Sequence, residues 1–129
     1  MPTARFQFFT RQPATVEWRL ISANNRELGR CPTPFGSLAD CVAAALALQA
    51  MIDGLTEAVF PVGRSGWRWR LLLDDNVVAT ASRSFPRRVE CTSTLAQFRR
   101  LAGDAPVVPT LHTFARSWTE KSGDRLLDG

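Results

Sequence analysis

The side chains of this 129-residue chain best equipped for chemistry are its guanidiniums. Of 16 basic residues all but Lys121 are arginine, and 12 acids leave a formal charge of +4. The excess is uneven. Residues 1–63 hold five arginines and five acids, residues 64–100 eight arginines and three acids, and residues 101–129 three bases and four acids. In the basic middle segment Arg68 and Arg70 alternate with Trp67 and Trp69, and are followed by Arg87, Arg88, Arg99 and Arg100. A strand face bearing arginine can enter a DNA major groove and pair bidentately with guanine, so these six are the candidate anion or nucleic-acid contact. The plainer account, and the preferred one, is a solvated face whose arginine stems cover apolar surface while their heads stay in water. Arg99 and Arg100 also suit a helix C-terminus, where the dipole favours cations. Trp67 and Trp69 could stack on bases, but they share period-two spacing with Leu71 and Leu73, which predicts core packing.

No other residues assemble into a recognisable centre. His112 stands alone, and Cys31, Cys41 and Cys91 are odd in number and lack zinc-type spacing, which predicts no metal site and a reducing, cytoplasmic location. Asp74 and Asp75 fall in turn chemistry. No G-x-S-x-G, P-loop or H-E-x-x-H motif is present, so neither catalysis nor a cofactor is expected. A composition of 45% hydrophobic and 22% charged residues is that of an ordinary globular domain. No apolar run approaches the ~20 residues of a membrane span, and the N-terminus does not read as a signal sequence. A membrane partner is therefore not expected.

The elements that must position these residues repeat. Phe9, Trp18, Arg19 and Leu20 recur 51 residues later as Phe60, Trp69, Arg70 and Leu71. The offset then falls to 50, where Phe35 meets Phe85, Asp40 meets Glu90 and Cys41 meets Cys91. The change falls in Asn/Asp clusters, 23–26 and 74–76, where hairpin turns absorb a length change and these side chains tolerate positive φ. In each copy apolar alternation predicts strands: 5–10, 16–22 and 27–32 in the first, 58–62, 67–73 and 77–82 in the second. A helix follows. The first opens on the capping-box pattern of Ser37 and Asp40 and ends near Gly54, with Leu38, Cys41, Ala45, Leu48 and Ile52 on one stripe. The second carries Cys91, Leu95, Phe98 and Ala102, ends at Gly103, and takes Pro86 in its first turn. Cys41 and Cys91, at matched positions on apolar stripes, read as small buried hydrophobes. A short strand is expected at 105–108.

With these pieces in place, Trp18-Arg19-Leu20-Ile21-Ser22-Ala23-Asn24-Asn25 with Phe35-Gly36-Ser37, and Trp69-Arg70-Leu71-Leu72 with Asp75 to Thr80 and Phe85 to Cys91, the chain resembles the YegP-like family of small proteins. These carry a domain of unknown function, often in tandem. The resemblance covers about residues 5–108, more in spacing than in identity. Asn25 or Arg26, and Asn76, stand where the family pattern has a hairpin glycine, and the second helix lacks the family's Asn-Gly-Ile, which marks a divergent member. The resemblance implies an α+β fold. Two tandem β-β-β-α-β repeats (about 5–57 and 58–108) would share one antiparallel sheet, with one helix per repeat packed on one face and the strand after each helix exchanged onto the other repeat. It implies no activity.

One domain over 1–109 is expected, followed by a tail, 110–129, in which Leu111, Phe114 and Trp118 form an amphipathic stripe that docks on the domain before a frayed end. The functional expectation is a non-enzymatic binding or interaction module, its partner a protein or a second copy of itself. Nucleic-acid binding by the second repeat's arginines is the second reading, and a small-molecule site between the repeats the third.

Overall fold

Alternation in the tryptophan-bearing strands decides which way the sheet faces. Trp18 and Leu20, and likewise Trp69 and Leu71, are buried, while the residues between them point away. The computed structural model describes residues 3–113. Its strands are β1 (Arg5–Thr10), β2 (Glu17–Ile21), β3 (Glu27–Arg30), β4 (Thr56–Val62), β5 (Gly66–Leu73), β6 (Asn76–Thr80) and β7 (Val107–Thr113); its helices are α1 (Leu38–Met51), prolonged by a 3₁₀ turn Ile52–Gly54, and α2 (Arg88–Ala102). The strands form one seven-stranded sheet in the order β4-β5-β6-β3-β2-β1-β7. Among the described residues no helix is long and apolar enough to cross a membrane.

The sheet is mixed, where the sequence predicted a purely antiparallel one. β7 pairs parallel to β1. The cause is where α2 ends: the Pro106 carbonyl accepts the Phe6 N–H at the start of β1, so a strand leaving that point runs in the same sense as β1. The strand that follows each helix does lie against the other half: β4, after α1, pairs with β5, and β7, after α2, crosses to β1. The described residues hold seven strands, one short of two full β-β-β-α-β units. β7 also outruns the expected 105–108, placing residues 110–113 in the sheet. Phe114 and Trp118 lie outside the described residues.

Local chemistry places the ends of these elements. Asp74 and Asp75, both at positive φ (49° and 72°), form the β5–β6 turn, and Asn25 (66°) serves between β2 and β3. The Ser37 hydroxyl caps α1, accepting the Asp40 N–H at 3.1 Å. Pro86 precedes the α2 cap residue Arg87 instead of lying in the first turn. The helical stripes fall as their spacing predicts: Cys41, Ala45, Leu48 and Ile52 are buried along α1 and its extension, and Cys91, Leu95, Phe98 and Ala102 along α2.

At the centre of the core the Phe98 ring sits 5.0 Å from Trp69 and 6.4 Å from Trp18, and Phe6 meets Trp18 edge-on at 5.5 Å. Gly29 on β3 makes the room. A Cβ there would lie 2.7 Å from the Phe98 ring and 2.8 Å from Trp69. Gly29→Ala is therefore expected to cost about 1–3 kcal/mol by overpacking, and Phe98→Ala about 3–5 kcal/mol by leaving a cavity, both read from urea unfolding. In a Phe98→Leu background the alanine at 29 should cost less. Equal costs in the two backgrounds would show that the ring does not set the constraint.

Candidate functional site

With the helices on the tryptophan face, the opposite sheet face is open, and strand register decides which side chains meet there. Followed from strand to strand, Gln7, Arg19, Arg30, Thr80, Arg70 and Ala58 are successive partners across six strands. Three arginines thus share one row, Arg19 beside Arg30 and Arg70 two strands further on, about 10 Å away at ordinary strand spacing. Arg5 and Arg68 flank the row on the same face.

Glu27 organises this face. Its carboxylate accepts from Arg19 at 3.1 Å and from Arg30 at 2.6 Å. Burial alone would raise its pKa, but the Ser82 hydroxyl, Arg30 and Arg19 outweigh that and hold it below the ordinary value. Glu27 is therefore ionised at neutral pH. Arg19 is further fixed by the Gln7 side-chain amide oxygen, which accepts from its Nε at 2.7 Å, and by the Phe9 ring, 5.0 Å from its guanidinium. Arg11 pairs with Glu17 at 2.9 Å. Arg70 is exposed and lies over the Phe60 ring at 4.5 Å; among the described residues no acid pairs with it.

A cleft opens beside the row. β3 and β6 are joined by the single pair Arg30↔Thr80, and beyond it the chains diverge around a space of about 600 Å³ between the β2–β3 turn, α2 and the segment after β6. Arg26, Arg30 and Arg83 line it against Glu27 as the only acid. The Ser82 hydroxyl, turned to the Glu27 carboxylate, also lines it. Three guanidiniums around a concavity suit an oxyanion.

The six arginines singled out from sequence do not gather into one site. Arg70 stands in the row, and Arg68 folds back to donate to the Ala81 carbonyl. Arg87 pairs with Glu90 at 3.4 Å and Arg88 covers the Trp67 ring at 5.3 Å, both at the start of α2. Arg99 and Arg100 lie at its other end, about 22 Å away over 15 residues. Arg99 is a staple: it donates to the carbonyls of Ile52 (2.7 Å) and Leu55 (3.1 Å) and pairs with Glu57. Arg19 is the repeat counterpart of Arg70, a signal the sequence does carry, whereas Arg30 carries none, because its place between them depends on the β3–β6 pairing.

The thiols of Cys31 and Cys41 are pushed by burial up to about 11 and about 12, and burial also raises Cys91. They are protonated at neutral pH. Among the described residues no cluster of three or more His, Cys, Asp or Glu could hold a metal.

A single mixed sheet with two helices on one face and an arginine-bearing face opposite defines a small α+β protein. Its fold is that of the YegP-like proteins. The protein of unknown function yegP from E. coli superposes with a TM-score of 0.65 at 8% identity, covering 89% of this chain and 97% of that one. A UPF0339 protein from Shewanella oneidensis does so with a TM-score of 0.68 at 6% identity, covering 86% and 91%. No family model and no curated protein matches the chain in sequence.

The lowered pKa of Glu27 has a consequence for pH dependence. Its contribution to stability is complete above the ordinary carboxylate value of 4.5 and is lost as pH falls through the lower folded value. Glu27→Gln is expected to cost about 1–2 kcal/mol at pH 7, and the gap to wild type should close on acidification. A gap that persists at pH 2 would assign the loss to packing.

Proposed function

We propose that the chain is a divergent YegP-like, non-enzymatic binding module, built of two tandem repeats, whose open sheet face receives a polyanion. The phosphate backbone of a nucleic acid is the partner class that the charge pattern favours. The observation that carries this is the row of Arg19, Arg30 and Arg70 on one face. Guanidiniums spaced by strand pairing match successive phosphates, and such contacts supply sequence-independent, salt-sensitive affinity. The tandem reading is supported by matched bridges, Val16↔Phe35 in the first half and Trp67↔Phe85 in the second, and by the placing of Trp18 and Trp69 about Phe98. Three buried free thiols accord with a cytoplasmic location.

The cleft beside Arg30 favours a second reading, a small anionic ligand held by Arg26, Arg30 and Arg83. The two readings separate in one set of measurements. If the sheet face binds nucleic acid, mobility shifts with short single-stranded and duplex oligonucleotides appear at low salt and weaken steeply as salt rises. Arg70→Ala should then lower the slope of log affinity against log salt by about 0.7–0.9, while Arg100→Ala, on the helix side, leaves it unchanged. A small-anion site instead gives thermal stabilisation by inorganic phosphate that Arg83→Ala removes. No shift in low salt with either oligonucleotide would overturn the first reading.

A further inference from the structure

The cleft beside Arg30 exists because the sheet comes apart there. Antiparallel pairing carried on past Arg30↔Thr80 would set Leu28 opposite Ser82. That one pair is instead the whole of the β3–β6 ladder, and among the described residues no backbone hydrogen bond joins 26–29 to 81–84. A space of about 600 Å³ stands where strand contact would otherwise continue, within the size range of small-molecule sites.

The charge around this space favours one kind of anion. Arg26 comes from the β2–β3 turn, Arg30 from β3 and Arg83 from the segment after β6, with Glu27 the only acid among them. Two positive charges are left over. A phosphomonoester carries about −1.5 to −2 at neutral pH and matches that excess, whereas a diester or a single carboxylate leaves a guanidinium uncompensated. Arg83 is also partly ordered in advance, since its guanidinium lies over the Phe85 ring at 4.3 Å, which reduces the rotamer freedom lost on binding.

The helix wall is neutral and faces the remainder of a ligand. Thr94 and Gln97 line the cleft from α2, neighbours at a spacing of three. The Thr94 hydroxyl already donates to the Glu90 carbonyl at 3.0 Å, so its oxygen is left only to accept. The Gln97 amide both donates and accepts. An acceptor beside such an amide suits hydroxyl groups, which do both. Base stacking has no equivalent support. Among the described residues Phe85 is the only aromatic lining the cleft, it is 5% exposed, and Arg83 lies over its ring.

We propose that this cleft binds a sugar phosphate, the phosphate held among Arg26, Arg30 and Arg83 and the hydroxyls along Thr94 and Gln97. The assignment rests on the small-anion reading of the cleft and names its ligand class.

Isothermal titration calorimetry of the full chain tests it, with inorganic phosphate, the monophosphates of glucose and ribose, free glucose and adenosine monophosphate as probes. At least one of the two sugar phosphates is expected to bind about tenfold more tightly than inorganic phosphate, the worth of one or two neutral hydrogen bonds, and free glucose not to bind. Arg83→Ala should weaken inorganic phosphate and sugar phosphate alike. Gln97→Ala, with Thr94→Val as a second variant, should remove the advantage of the sugar phosphate and leave inorganic phosphate unchanged; a merely structural role would shift both together. If inorganic phosphate binds and neither sugar phosphate binds more tightly, the ligand class is wrong while the small-anion reading stands. Adenosine monophosphate binding more tightly than both sugar phosphates would likewise overturn the class, because the base would then be the group recognised. No binding by any of the phosphate compounds overturns both.

Discussion

Phe98 reaches down from α2 between two indoles, and the space for its ring exists because residue 29 has no side chain. That contact joins the two halves of the sheet. Trp18 stands on β2 and Trp69 on β5, and the strands between them, β3 and β6, share a single pair of partners, Arg30 and Thr80. So thin a seam cannot by itself hold two hairpins in register. The aromatic cluster above it can, because rings of this size bury large apolar area and prefer particular mutual geometries.

Packing on one face dictates chemistry on the other. A strand slipped by one residue would carry its arginines into the core and its tryptophans into water, so the register that seats Trp18 and Trp69 also sets Arg19 and Arg70 in the open. β3 needs one further device. Glu27 and Arg30 are three apart, and in a regular strand they would face opposite sides. The register shift opposite Leu20 and Ile21 leaves Leu28 as an extra residue. Leu28 and Gly29 then both turn toward the core while Glu27 and Arg30 turn outward together. A matching shift opposite Leu71 and Leu72 occurs in β6. Such bulges re-aim side chains without ending the strand.

This explains what could be read from the chain and what could not. The tryptophan–leucine alternation, the stripes of Cys41 to Ile52 and Cys91 to Ala102, and the Asn/Asp turns are local patterns with one physical solution each, and all are present. The parallel course of β7 follows from where α2 ends in space, which no local pattern encodes. The arginine row is a tertiary object in the same sense. Density along the sequence pointed to residues 64–100, yet two of the row's three members come from the first half. Arg99, chosen for its place at a helix end, proves to bind the carbonyls that close another helix, through contacts spanning more than forty positions.

The state of the arginines bears on what the open face can do. A flexible guanidinium loses rotamer freedom when it grips a phosphate, a cost set against the contact it makes. Here Arg19 and Arg30 are already held by Glu27, and Arg70 rests on Phe60, so part of that ordering is complete before any ligand arrives. The same carboxylate neutralises one of the two charges it holds. The row therefore presents ordered, partly compensated cations beside one uncompensated one, Arg70. Such a surface trades raw attraction for fixed spacing, and it places its strongest unbalanced charge on the second half of the chain, where the sequence also carries its excess.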